Sequence, residues 1–165
     1  MLRESLPKRV LGFVVQELTA AELGLKVMKR PAKLSVERYG LLAASGVIMV
    51  HYAGSRYEKP IGIAQDREML FDCIVLKKSL REDSGEDEAL DVLEQVSEVL
   101  AGKKHEDCVS GLYVDMDSFL SGDDEKGVLQ YQVRFGCSAV MVQPMMTESE
   151  DLSLPLLVSV SADQI

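Results

Sequence analysis

The chain reads GVIMVHYA over Gly46–Ala53 and MLFDCIVL over Met69–Leu76, and these two apolar runs decide the fold. Between them lies a polar stretch with glycine and proline, Gly54–Pro60. Two β-rich runs around such a stretch predict an antiparallel hairpin. If residues 61–78 were fully extended they would span roughly 60 Å, which is wider than a domain of this size. We therefore expect part of Ile61–Glu68 to project beyond the sheet as a loop or arm.

The second apolar run has two apolar faces. One face would carry the side chains of Met69, Phe71, Cys73 and Val75. The opposite face is apolar apart from Asp72. A strand of this kind is central in its sheet and is covered on both sides, either by its own chain or on one side by another subunit.

Helical periodicity comes before the hairpin. Apolar residues recur at every fourth position and predict an amphipathic helix over residues 6–22, with Ser5 as N-cap and Gly24 as a left-handed C-terminal cap. A short strand is predicted at Leu25–Met28. A second, shorter helix is predicted over Ser35–Ser45, directly before the hairpin.

A further helix and two strands follow the hairpin. Residues 87–101 predict a helix with one apolar stripe, in which Ser84 begins a capping box and Gly102 ends the helix. Residues 108–120 and 127–142 predict two more strands, and the second alternates apolar with polar side chains. The order of elements predicts an α+β fold: a single mixed or antiparallel sheet packed with two main helices, with a long β-hairpin arm.

The length of 165 residues predicts one domain over residues 1–144. After Pro144 the periodic pattern stops. Residues 145–165 combine an acidic spacer with an apolar end that includes Leu152, Leu154 and Leu156. This tail is either disordered or an added strand that docks on its own domain or on a neighbour.

Charge and cysteine content narrow the class of protein. The formal net charge of −9 argues against a groove that grips nucleic-acid phosphates. The three cysteines, Cys73, Cys108 and Cys137, form no CxxC pair and lie in or beside apolar runs, which predicts buried thiols in a reducing cytoplasm. No signal peptide is predicted, and no run approaches the roughly 20 apolar residues of a membrane span.

Few residues suggest chemistry. His105 and Cys108 have metal-ligand spacing, but zinc needs three or four ligands, so a surface histidine and a core cysteine are expected. Asp115 and Asp117 would share one strand face, which is either solvated or a site for a divalent cation. The acidic run over Glu82–Glu98 is either a solvent-facing helix side or a surface that repels DNA or docks a basic partner.

Common catalytic motifs do not occur. The sequence has no glycine-rich nucleotide loop and no GxSxG nucleophile elbow. These observations predict a protein that is not an enzyme and that uses no cofactor. The alternative is a small cytosolic enzyme or ligand-binding protein that holds a metal at Asp115 and Asp117.

Short apolar motifs resemble a known family. Gly46–Ser55 has the form G-apolar-apolar-x-V-x-Y-x-G-S, and Ala64–Arg67 is a glutamine-containing entry to the long strand. Leu93–Gly102 reads L-x-x-V-x-x-x-L-x-G, and Tyr131–Phe135 reads Y-x-V-x-F. With the amphipathic helix before them, these motifs resemble the Mu-like phage and prophage tail-terminator (tail-completion) family, which also occurs in contractile R-type tail clusters.

The resemblance implies a structural virion protein of small α/β fold. Its copies would form a ring, expected to be a hexamer, that caps the tail tube, ends tube polymerisation and joins the tail to the head–neck connector. The implied partners are further copies of the chain, the tail-tube protein and the connector; DNA would pass through the lumen without specific binding. The protein would be assembled in the bacterial host cytoplasm and lie at the neck-proximal end of the tail. Another tube, baseplate or connector adaptor is the alternative.

The arm, the two-faced strand and the tail supply the candidate contacts with other subunits or partners. The candidate interface residues are Tyr57, Glu58, Lys59, Ile61, Ile63, Gln65, Phe71, Leu154 and Leu156.

Overall fold

The computed structural model describes residues 3–78, 85–123 and 127–144. Within these residues the elements are α1 (Leu6–Ala20), β1 (Lys26–Lys29), α2 (Val36–Ser45), β2 (Val47–Tyr57), β3 (Ala64–Lys78), α3 (Gly85–Leu100), β4 (Tyr113–Asp123) and β5 (Val128–Val142). The strands form one sheet in the order β1-β2-β3-β5-β4. Only β1 and β2 run parallel; the other neighbours are antiparallel. The predicted α+β fold with a single mixed sheet is confirmed.

Helix α1 buries the apolar stripe predicted for it, and Val10, Val14 and Leu18 lie in the core. The helix ends at Ala20, earlier than predicted, because Glu22 already adopts a left-handed backbone with φ +51°. The Glu22 N–H bonds the Thr19 carbonyl at 3.3 Å, which closes the last turn before the chain reaches Gly24.

The first face of the sheet packs against α1 and α3. Its core takes alternate residues of the three central strands, together with the apolar stripes of the two helices. The predicted inward positions of β5 are confirmed, since Val133, Phe135 and Cys137 are buried. This cluster of buried apolar residues is the larger of the two in the described part of the chain, and burial of apolar area is the dominant favourable term in folding.

The second face of the sheet is covered near one end by α2. A smaller cluster joins the helix to the sheet through Leu42, Ala43, Val47, Met49, Ile74, Leu76 and Val128. At this end, strand β3 is therefore covered on both sides within its own chain, which is one of the two predicted arrangements.

Helix α2 has defined ends. The Ser35 side chain accepts a hydrogen bond from the Arg38 backbone N–H at 3.2 Å, which caps the N-terminus. At the other end Gly46 has φ +78°, and a Cβ there would lie 2.5 Å from Cδ2 of Leu25. Both the backbone and the close side chain favour glycine where α2 turns directly into β2.

Strand β4 begins later than predicted. Residues 108–112 form a connection, and the strand starts at Tyr113. The end of α3 explains the difference: Gly102 donates to the Leu112 carbonyl at 2.8 Å, and a Cβ on Gly111 would lie 2.7 Å from the Gly102 carbonyl oxygen. The connection is therefore held against the helix terminus and cannot pair as a strand. The predicted cap residue Ser84 lies outside the described residues.

Among the described residues, no helix is long and apolar enough to cross a membrane.

Candidate functional site

A three-stranded arm continues the sheet beyond the core. Strands β2 and β3 stay paired as far as Tyr57 and Arg67, and β5 follows β3 as far as the pair Ala64 and Val142. We call residues 56–68 together with 140–143 the arm. The last fully buried residue of β3 on the way to the tip is Met69, so the strand extends about 17 Å past it.

The projecting segment, predicted as a loop or arm, is mostly β-strand. Residues 64–68 all pair with β5, and Arg67 and Glu68 pair with β2 as well, so most of the predicted loop is strand. The pattern of β3 alone could not show this, because the second partner lies more than sixty positions later in the chain.

The tip of the arm is an ordered turn. Ile61 and Ala64 exchange two backbone hydrogen bonds of 2.8 and 3.2 Å around Gly62, whose φ is +63°. The Gln65 side-chain amide donates to the Glu58 carbonyl at 2.8 Å. A third strand supports the turn, since the Gln143 N–H donates to the Ile63 carbonyl at 2.8 Å. The tip is thus built as a short hairpin.

The arm exposes large apolar side chains. Ile61 is 84% exposed and Ile63 is 50% exposed. Tyr57, Val140, Met141 and Val142 are also exposed. Apolar side chains gathered on a projecting element are typical of a surface that contacts another protein, whereas single ones need no explanation.

A polar network joins the arm to the core. The Tyr52 and Ser55 hydroxyls lie 2.6 Å apart. Arg67 donates to the Ser55 hydroxyl at 2.8 Å and to the Tyr52 hydroxyl at 3.0 Å, and its guanidinium lies 5.4 Å from the Tyr57 ring centroid. The Tyr52 ring in turn contacts Phe71, with centroids 5.5 Å apart. These contacts fix the direction of the arm relative to the domain.

The described candidates divide into two groups. The arm carries Tyr57, Glu58, Lys59, Ile61, Ile63 and Gln65. Phe71 does not belong with them: it is 0% exposed and lies in the core, so the prediction of a partner contact is wrong for this residue. Alternation along β3 could not tell a core face from an interface face. Leu154 and Leu156 lie outside the described residues.

A polar row crosses the second face where α2 does not cover it. The buried Asp72 carboxylate accepts two hydrogen bonds from the Arg134 guanidinium, at 2.7 and 2.9 Å. This bidentate bond raises the pKa of Arg134. His51 Nε2 lies 3.5 Å from Asp72, but burial outweighs that carboxylate and lowers the pKa of His51. Its Nδ1 has no hydrogen-bond partner among the described residues.

The sequence showed Asp72 as the polar exception on its strand face, but no local pattern joined it to Arg134. The registers of β2, β3 and β5 place His51, Asp72 and Arg134 side by side. The row fixes the relative position of the three strands that continue into the arm. It adjoins an open cavity of about 780 Å³ beside α2, bordered by Arg30, Tyr39, Met49, His51 and Gln130.

The predicted buried thiols are confirmed. Cys73, Cys108 and Cys137 are free and buried. The Sγ atoms of Cys108 and Cys137 lie 3.9 Å apart. Their contact raises the pKa of Cys137 and lowers that of Cys108, while burial raises the pKa of Cys73.

The candidate metal residues do not converge. A β-bulge between Val114 and Met116 interrupts the alternation that would put Asp115 and Asp117 on one face. His105 is not a surface residue as predicted, because its ring is half-buried against Phe13, with centroids 5.5 Å apart. Within the described ranges, no three His, Cys, Asp or Glu side chains come together as a metal site would require.

Comparison with known proteins found one matching family and a solved structure with a similar fold. The model of the family described as "Gp37 protein" matches residues 14–163. No curated protein matches the chain. A chain in the solved structure "Virion of native gene transfer agent (GTA) particle" is similar, with a TM-score of 0.51 and 16% identity, over 78% of this chain and 92% of that chain. At this identity the likeness concerns the fold alone.

Proposed function

Because the chain belongs to the Gp37 protein family, we propose that it is a structural protein of a phage-type virion, and specifically a tail terminator. In this role its copies form a ring, expected to be a hexamer, on the end of the tail tube. The ring stops tube polymerisation and presents its far side to the head–neck connector. The likeness in fold to a chain of a gene transfer agent virion supports a place in such a particle.

The arm is the observation that carries the proposal. Its long strand β3 extends about 17 Å past Met69, it is built from three strands, and its tip exposes Ile61 and Ile63. An element of this kind is costly to leave in water and reaches a neighbouring subunit without disturbing the domain that holds it. A ring needs such a contact, repeated once per subunit.

The charge of the chain suits a ring through which DNA passes. The net charge of −9 disfavours phosphate binding, and the described acids of α3, which include Asp87, Asp91 and Glu94, lie on its exposed side. The role requires no catalytic group and no cofactor. The protein would be made in the bacterial host cytoplasm and end at the neck-proximal end of the tail.

The test is a charge placed on the tip of the arm. Ile61→Asp/Ile63→Asp should leave a folded monomer that neither forms rings nor limits tube length, because charged side chains would have to be buried in the contact. The matched control is Val36→Asp/Leu41→Asp on α2, where the two side chains are 80% and 73% exposed. It should assemble as the unaltered protein does.

The measurements are light scattering for the oligomeric state and electron microscopy of tubes grown with the cognate tube protein. The proposal expects caps at tube ends and a fixed tube length with the unaltered chain and with the control. Rings that persist in Ile61→Asp/Ile63→Asp would refute the role of the arm. Copies spaced along the tube rather than at its ends would indicate a tube or baseplate adaptor instead.

A further inference from the structure

The arm ends in an unpaired strand edge on β5. Strand β4 accompanies β5 only as far as the pair Tyr113 and Gly136. Past that point the Val109 N–H donates to the Ser138 carbonyl at 2.7 Å, and the Ser138 N–H donates to the Ser110 hydroxyl at 2.9 Å. No described strand pairs with this side of β5 from residue 139 to residue 142.

Backbone groups on this edge point away from the arm. Because both backbone groups of Ser138 bond outward, those of Val140 and Val142 point outward too, two and four positions later. The backbone N–H and C=O groups of Met141 point the other way, toward β3, as does the N–H of Gln143, which donates to the Ile63 carbonyl. The edge therefore offers the N–H and C=O groups of Val140 and Val142 to an added strand.

The edge is also apolar. Val140 is 43% exposed, Val142 is 60% exposed and Val109 is 60% exposed. Val109 and Val140 border the same groove, of about 620 Å³, between the connection after α3 and the arm. A strand that pairs here would cover these side chains as well as the open backbone groups.

The sequence that follows β5 has the pattern of such a strand. From Leu152 to Ala162 it reads LSLPLLVSVSA, with an apolar residue at every even position and mostly serine at the odd ones. Pro155 falls at an odd position, and proline within a strand is typical of an edge. The family model extends to residue 163, so this segment belongs to the part of the chain that the family shares.

We propose that residues 152–160 add as a strand to the open edge of β5 in the same chain. The spacer, residues 145–151, begins at the arm and spans at most about 24 Å, which is enough to turn back along the edge. The edge of the same chain is therefore always within reach, whereas that of another copy depends on assembly. The proposal goes beyond the ring and does not require it.

The test is residue-resolved hydrogen exchange of three backbone amides. In the full chain the amides of Val140 and Val142 should exchange slowly. In Leu154→Asp/Val158→Asp, which places charges on the apolar face of the tail, they should exchange at least about tenfold faster. The control Ser153→Asp/Ser159→Asp adds the same charge to the other face and should keep the protection.

Met141 reports the fold in every variant, because its amide points toward β3 and should stay protected throughout. Equal exchange of Val140 and Val142 in the full chain and in Leu154→Asp/Val158→Asp would overturn the proposal. Protection that disappears on dilution to the monomer would show that the tail of another copy fills the edge, which would also overturn it. Protection that is independent of concentration supports it.

Discussion

Removing Arg134 should cost the protein more stability than removing any exposed arginine. The Asp72 side chain is only 4% exposed and accepts two hydrogen bonds from the guanidinium of Arg134, whose own side chain is 26% exposed. Breaking a buried pair by removing one partner costs about 3–5 kcal/mol, because the other charge stays buried without compensation. Since water reaches part of Arg134, we expect about 3 kcal/mol for Arg134→Met, at the lower end.

The assay is urea unfolding of a double-mutant cycle at pH 7. Asp72→Leu should cost about 1 kcal/mol, because the long Arg134 side chain can turn toward water. The double variant Asp72→Leu/Arg134→Met should lie within about 1 kcal/mol of the unaltered protein. Arg56→Met is the control: Arg56 is 65% exposed and 3.7 Å from Glu68, so about 0.5 kcal/mol or less is expected. A loss below about 1 kcal/mol for Arg134→Met would refute the argument.

Three further predictions concern stability. Phe71→Ala should lower the free energy of unfolding by about 3–5 kcal/mol in urea melts, because Phe71 lies in the core. The control Phe119→Ala, at an exposed ring, should lower it by about 1 kcal/mol or less. Similar losses in the two variants would contradict the core position of Phe71. Burial lowers the pKa of His51 below 6.5, so stability should fall as the pH drops below about 6.5, and a His51→Gln variant with the same pH slope would disprove this. In thermal melts Gly111→Ala should lower the free energy of unfolding by about 1–3 kcal/mol, because the added Cβ would meet the Gly102 carbonyl oxygen. Gly12→Ala, in open space within α1, should raise it by about 0.5–1 kcal/mol. A neutral Gly111→Ala would show that the contact between Gly111 and Gly102 relaxes.

Local signals were sufficient for most of the elements. Helical spacing located α1 and α3, a continuous apolar run located β3, and alternation located β5, because each pattern reports which sides of an element are buried. The two-faced pattern of β3 also indicated its central place. Prediction was poorest at boundaries that depend on distant residues. Strand β4 starts late because Gly111 lies against Gly102, a contact that no local pattern contains.

The position of the arm was predicted from the sequence, but its form was predicted only in part. The length of the hairpin required a projection, which is the arm. Its third strand and the Asp72–Arg134 pair arise from the register between β3 and β5, and its open edge arises because β4 stops pairing with β5 at Gly136; no local window holds these pairings. Phe71 was misplaced for a related reason: alternation shows that a face is apolar, and only the packed helices show what covers it.

The central position of β3 also has a consequence during synthesis. Strand β3 is complete when residue 78 has been made, but its partner β5 is complete only at residue 142. At about 5–20 residues per second, the ribosome needs roughly 3–13 s to add the residues between them. For that time the longest apolar strand of the nascent chain has one side without its native neighbour, and this is the period in which a chaperone would matter most.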